Sequence, residues 1–448
     1  MKTRHLKFFA VLLAAFTLIG CDQGQKAPSK TRVHIVNAAP SFAQLWYQRE
    51  HSTTEQEDAL TFKSATAHDY DVDNYDFFVY HKRVGTGEIL DTWTWVKQLV
   101  AGNQYTFVLA EAAGQISPQI VEYPPKLANS SDTQIAVVHA GESLPAMDVY
   151  VQPAGVGIAG ATPRGSVSFL GQVTPKTFAS GDYEITLTAA GDPSNVLFAA
   201  SSVNLAAGST NVFVIADEAG QGTAAISVIG SQDDNSFVLY SANATSGLRA
   251  INAADDGAAR DFAINHEYSP PILPAVPHAT VTSYVTVPVN ASLPISVTPV
   301  GNPGVLELDV PLIAAAGTLN TVLFAGPAGT LVSQIVTDDR RRITSEAKLR
   351  FINAANQFTT ATEIVLMPPG TADQTTIAPL SGLAAPAMTD YLYLTPGEYD
   401  LLFRETVTNT PRAATIHVNL VSGGIYGVIA LNGPDTASVS VAFIDDTP

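Results

Sequence analysis

The chain has 448 residues, with 41 acidic against 23 basic side chains and a formal charge of −18. An acid excess of this size disfavours nucleic acid and anionic lipid headgroups as partners and leaves basic or metal-rich ones open. Apolar residues at 46% against 14% charged exclude general disorder, and the single cysteine leaves no internal disulfide to form.

At the amino terminus, Lys2, Arg4 and Lys7 precede the apolar run Leu6 to Ile19. This is the charged start and short hydrophobic middle of a secretory signal, below the roughly 20 apolar residues of a spanning helix. The run ends in Leu18-Ile19-Gly20-Cys21, which resembles the lipobox of bacterial lipoproteins. The resemblance implies diacylation of the Cys21 thiol, with chains such as palmitate, cleavage after Gly20 and acylation of the new amino terminus. Residues 1–20 are thus expected as signal peptide and 21–30 as a lipidated tether, and the mature charge is about −21 once three bases are removed. Asp22 resembles the signal that retains enteric lipoproteins at the periplasmic face of the inner membrane; in other lineages the outer membrane or cell surface stays open. Asp22 to Lys30 is polar, and its nine residues reach no more than roughly 30 Å. The first folded unit is expected near the bilayer, with the rest free to extend away.

Beyond the tether the sequence repeats. A short apolar strand ends in Asn-Ala-Ala or a close variant at Val33 to Ala39, Ile135 to Gly141, Leu248 to Ala254 and Leu349 to Ala355. Asn37, His139, Asn252 and Asn353 are spaced by 102, 113 and 101 residues, the size of a small β domain. Each unit later has a turn ending in glycine (Gly102, Gly208, Gly317, Gly424) followed by an apolar strand. A third landmark is a turn and strand holding Tyr75, Tyr183 or Tyr399, which the third unit lacks. Apolar and polar residues alternate over runs such as Tyr183 to Leu187, between Gly, Pro, Asn and Asp turns. The expected fold is all-β: four tandem immunoglobulin-like β-sandwich domains at 31–124, 133–231, 246–338 and 347–448, joined by polar linkers. The Asp338 to Arg342 run is read as a solvated linker, with a docking patch as the alternative.

These landmarks resemble the bacterial domain of unknown function numbered 4397, which occurs in tandem in secreted and lipid-anchored proteins. Leu349 to Ala355, Asp148-Val149-Tyr150-Val151 and Gly397-Glu398-Tyr399 carry the resemblance. It implies a fold and contributes no catalytic residue; the first unit departs in its longer middle and the third in its missing Gly-x-Tyr step.

Candidate chemistry concentrates in the first unit. Asp69, Asp71, Asp73 and Asp76 suggest a calcium loop, although Asn74 replaces its turn glycine and Tyr80 its bidentate Glu. All three tryptophans, Trp46, Trp93 and Trp95, lie here, and Trp93 and Trp95 share a strand face. They either stack on a sugar or another apolar ligand or fill the core. His34, His51, His68 and His81 lack metal-ligand spacing and read as scattered surface residues. His266-Glu267 begins the zinc-protease motif, but Pro270 stands in place of its second His. Gly155 to Gly160 fits G-x-G-x-x-G, yet Pro163 and Gly165 follow where a helix is required, so it reads as a flexible loop. There is no G-x-S-x-G elbow and no P-loop. No enzyme and no cofactor are expected. The leading reading is a lipid-anchored scaffold, spacer or protein-binding module of the cell envelope; the alternative is a glycan or small-ligand binder using the tryptophans.

Overall fold

Strands rich in β-branched residues and broken by Gly and Pro turns build the described part of the chain. The computed structural model describes residues 30–49, 57–124, 131–220, 222–232, 235–289, 292–357, 362–371, 380–435 and 438–448. Cys21, Asp22 and His51 lie outside these residues. Among the described residues, 34 strands form eight sheets, and no helix is long and apolar enough to cross a membrane.

The repeated strand organises each unit. Lys30–Asn37, Asp132–His139, Ser246–Ala254 and Ala347–Asn353 pair in parallel with Gln104–Ala112, Thr210–Asp217, Leu319–Gly326 and Ile425–Asn432 respectively. In the first unit this sheet runs Ala65–Asp71, Lys30–Asn37, Gln104–Ala112, Gln115–Tyr123. The facing sheet runs Glu57–Leu60, Leu45–Arg49, Asn74–Lys82, Ile89–Gln98. The same order recurs in the other three units, so each is a two-sheet sandwich with its own apolar core. The second unit departs at one edge. Asn235–Tyr240, expected within a linker, pairs with Ile226–Gln232 as a fifth strand.

The repeated polar residues close this fold. Asn37, Asn252 and Asn353 each accept the N–H of the residue two positions on, at 3.0, 3.0 and 3.1 Å. Each also donates from Nδ2 across the sandwich: Asn37 to the Leu60 carbonyl, Asn252 to those of Ala258 and Val276, Asn353 to the Thr362 hydroxyl. A side-chain amide thus ends the strand and ties it to the opposite sheet. His139 takes this place in the second unit, its Nε2 donating to the Pro145 carbonyl at 2.9 Å. Tyr75, Tyr183 and Tyr399 donate to backbone carbonyls four residues upstream, at 3.0, 2.7 and 2.6 Å, a tyrosine corner of the kind found in immunoglobulin folds. Where the third unit lacks it, buried Leu293 stands near the start of the corresponding strand.

The sandwiches are not four separate bodies strung in a line. The outer face of the first unit's Lys30–Asn37 sheet packs on the outer face of the second unit's Asp132–His139 sheet, enclosing a further apolar layer. Val36, Val108 and Val121 meet Val138, Val212, Val214 and Ile229 there, all 0–1% exposed. The third and fourth units pair in the same way through Ile251, Leu323, Ile352 and Ile429. Seven buried Val and Ile side chains at about 1.5–3 kcal/mol each are of the same order as the roughly 4–15 kcal/mol cost of bringing two free bodies together, and the covalent link lowers that cost. Alternation with one solvated face therefore fails for the central strands, whose alternate residues enter two different cores.

Leu323→Ala truncates a fully buried side chain in the layer between the third and fourth units without touching either sandwich's own core. It is expected to cost about 2–5 kcal/mol, read by urea unfolding followed by circular dichroism; a change near zero would mean that this layer contributes nothing to stability. Asn252→Ala is expected to cost about 1–3 kcal/mol by leaving buried backbone groups unpaired.

Candidate functional site

The largest charged constellation lies where the third and fourth units meet. Arg249 and Arg350 occupy equivalent positions in the repeated strand and point into the shared layer, and both engage Asp338. Asp338 also accepts the hydroxyls of Thr321 and Tyr284. Arg249 forks onto Asp446 at 2.7 and 2.8 Å, and Arg340 donates to the Asp446 backbone carbonyl at 2.6 Å. The run read as a solvated linker is therefore partly interior: Asp338 is 2% and Arg341 5% exposed, Asp339 and Arg340 are half-buried, and Arg342 alone is exposed. Arg341 grips Asp339 at 2.8 Å, donates to the Pro40 carbonyl of the first unit and stacks over Phe62. Burial opposes the charge on Asp339, but Arg341 and Lys348 outweigh it and hold the carboxyl down at about 2. Burial outweighs Asp339 at Lys348 and lowers that ammonium to about 8. These charges are compensated by one another and by hydrogen bonds, as buried charges must be; their role is to fix how the units meet.

A cavity of about 330 Å³ opens between the first and second units, bordered by Ser41, Glu111, Glu142, Ser143 and Asp217. Burial raises the Glu111 carboxyl against the N–H of Ser41, and Glu142 and Asp217 raise it further. Ser143 donates to Asp217, but no His, Lys or Arg lines the cavity, so the base of a Ser-His-acid relay is missing. The corresponding end of the other pair is closed instead: Asn356 and Asn432 donate to Asp255 at 2.9 and 2.8 Å.

The first unit separates the three tryptophans. Trp93 and Trp95 turn inward. Trp93 meets Phe42 edge-on and donates to Gln115 at 3.0 Å, while Trp95 stacks on Phe77 and meets Phe107 edge-on, its buried Nε1 unpaired. Trp46 lies on the opposite face of that sheet, with the Lys82 Nζ 4.7 Å from its ring centre. Cross-strand register sets Trp46 beside Tyr80, and Tyr80 runs parallel to Phe78 at 6.1 Å. The sequence singled out Tyr80 only as the residue in place of a calcium-loop Glu, and Phe78 not at all; strict alternation along Asn74–Lys82 puts them opposite the core residues Phe77 and Val79.

The aspartates do not converge. Asp69 pairs with Arg32 at 3.0 Å, the Asp71 backbone carbonyl accepts the Tyr75 hydroxyl, Asp73 takes the Asn74 N–H, and Asp76 is exposed on the outer face. Among the described residues no group of three or more His, Cys, Asp or Glu can hold a metal ion; Asp69 and Asp71 lie on the strand Ala65–Asp71 and Asp73 in the turn that follows it. The histidines are not uniformly on the surface either. His34 and His81 are buried, and His81 bridges Asp91 at 3.1 Å and Ser345 at 3.0 Å, tying the first unit to the segment entering the fourth. His266 faces Asp309 at 3.2 Å. The Gly155 to Gly160 loop is clamped, with the N–H groups of Gly155 and Gly157 donating to Glu184.

The chain matches no family model and no curated protein. Among solved structures it is similar to a family 26 carbohydrate-binding module of Eubacterium rectale in complex with maltoheptaose, at 12% identity over 47% of this chain and 98% of that one, with a TM-score of 0.16. The Bacillus anthracis TIE protein is similar at 12% identity over 91% of this chain and 69% of that one, TM-score 0.16. A candidate adhesin of Bacteroides ovatus follows at 9% identity over 47% and 95%, TM-score 0.15. Scores this low carry no argument about activity.

Asp339 titrates at about 2 in the fold against 3.8 in an unfolded chain, so its contribution is complete above about pH 4 and is lost as pH falls through 2. Asp339→Asn is expected to destabilise the neutral protein by on the order of 2 kcal/mol, and the gap from wild type in urea unfolding should close between pH 4 and 2. A gap independent of pH would exclude the ion pairs as its source.

Proposed function

We propose that the chain is a non-enzymatic lipoprotein of the bacterial cell envelope, anchored through acyl chains on Cys21, whose paired sandwiches act as a rigid scaffold for another envelope component. The observation that carries this reading is that the repeated polar residues are engaged in the fold. Asn37, Asn252 and Asn353 tie sheets together, Tyr75, Tyr183 and Tyr399 close corners, and the buried Arg and Asp side chains join units. The repeated landmarks support assigning the units to the domain of unknown function numbered 4397. Face-to-face packing favours a scaffold over an extensible spacer, because the shared apolar layers resist separation. Asp22 supports the periplasmic face of the inner membrane as its place.

Cys21→Ser tests the anchor. Wild-type protein is expected to sediment with membranes and take up labelled palmitate, and the variant to become soluble and unlabelled; an unlabelled wild type would overturn the assignment. Reproducible absence of any envelope protein after affinity capture from detergent-solubilised membranes would count against the scaffold role.

A further inference from the structure

The outer face of the first unit's Leu45–Arg49 sheet differs from the rest of this acidic chain. Register sets Trp46 beside Tyr80 and Tyr80 beside Thr92, Gln48 beside Phe78 and Phe78 beside Thr94, and Asp76 beside Val96. All of these point away from the core residues Leu45, Tyr47, Phe77 and Val79. Trp46, Phe78 and Tyr80 are partly exposed and Val96 is 62% exposed. In a chain with 41 acids and 23 bases, the strands Leu45–Arg49, Asn74–Lys82 and Ile89–Gln98 show on this face one acid, Asp76, and one base, Lys82.

We propose that this face rests on the bilayer that holds the acyl chains of Cys21, an inference that depends on the lipid-anchor reading. The length of chain before the first strand argues for this occupant. Nine residues, Asp22 to Lys30, reach no more than roughly 30 Å. Lys30 pairs with Asp71, and after the two-residue turn at Val72 and Asp73 the strand Asn74–Lys82 begins, carrying Phe78 and Tyr80. Stacked sheets lie about 10 Å apart, so the tether leaves the sandwich within its own reach of the aromatic face. The unit's other broad face is covered by the second unit. Docking the open face therefore puts the second unit on the side away from the membrane.

The chemistry fits an interface that is part hydrocarbon and part headgroup. Trp and Tyr concentrate there because each has an apolar body and a polar tip, and Lys82 can lay its stem along Trp46 and keep its ammonium in the headgroup layer. A face with few charges, to which the register of the edge strand adds only Glu57 opposite Gln48, suits zwitterionic lipid and avoids the repulsion that the acid excess would meet at an anionic one.

The test uses full-length lipidated protein in phosphatidylcholine vesicles brominated near the headgroup, with anchoring read separately by vesicle flotation. Protein that floats is expected to lose part of its tryptophan emission to the bromines, and Trp46→Phe is expected to abolish that loss, since Trp93 and Trp95 face inward. Phe78→Asp should weaken the quenching without changing flotation. Protein that floats with unquenched emission overturns the docking and leaves the anchor standing. Protein that fails to float overturns the anchor and the docking with it. A Trp46-dependent emission shift of the Cys21→Ser chain with soluble N-acetylglucosamine oligomers, together with flotation and no quenching, would make the face a saccharide site.

Discussion

The sheets built on the Asn-Ala-Ala strands are covered on both sides, and the rest of the architecture follows from that burial. One face of each closes its own sandwich, and the other meets the equivalent sheet of a neighbour across a layer of Val, Ile, Leu and Ala. A sheet with one solvated face could tolerate an isolated sandwich; these cannot, because each would expose a continuous apolar surface. The unit of stability is accordingly a pair of sandwiches. Polar contacts at the rims add to this: within the first pair Lys63 reaches Glu218 and Tyr240 of the second unit, and between the pairs His81 and Arg83 reach Ser345 before the fourth.

The two pairs solve the same packing problem with different chemistry. At one position of the repeated strand the first pair has His34 and Ala136, and the second has Arg249 and Arg350. Two guanidiniums facing one apolar layer would be costly alone. Asp338 and Asp446 neutralise them, and both aspartates come from chain ends of the layer, where the third unit leaves for the fourth and where the fourth finishes. The charge network thus makes the connecting segment part of the interface.

The all-β class, the repeat and its landmarks were legible in the sequence because each rests on local periodicity and turn chemistry. The four turns carry Gly102, Gly208, Gly317 and Gly423 at φ of +82°, +72°, +75° and +69°, so the glycine is demanded by the backbone; in the fourth turn it is Gly423 and not the Gly424 that follows. Burial of Asp338 and Arg341 within the Asp338 to Arg342 run was not legible. A run of five charges has the composition of a solvated linker, and of its partners Arg249 and Asp446 lie far away in sequence, while Arg350, in the strand that follows, turns back onto Asp338 only in the fold. For the same reason the tryptophans could be counted but not oriented: alternation puts Trp93 and Trp95 on one face without saying that Phe77 and Phe107 wait there, and it gives no sign that Trp46 looks the other way. Asp69 to Asp76 misled because side-chain spacing on a strand was read as spacing in a loop.

Double-sided burial also has a consequence in time. The first sandwich becomes complete in sequence at Gln115–Tyr123, but the strand that covers its outer sheet most centrally, Thr210–Asp217, lies about ninety residues further on. As the chain emerges in order, Val36, Val108 and Val121 stay uncovered until those residues follow. The third unit faces the same interval before the fourth arrives. Each pair therefore passes through a half-built stage with a bare apolar sheet, and two nascent chains at that stage present each other with the surface that each is waiting to bury.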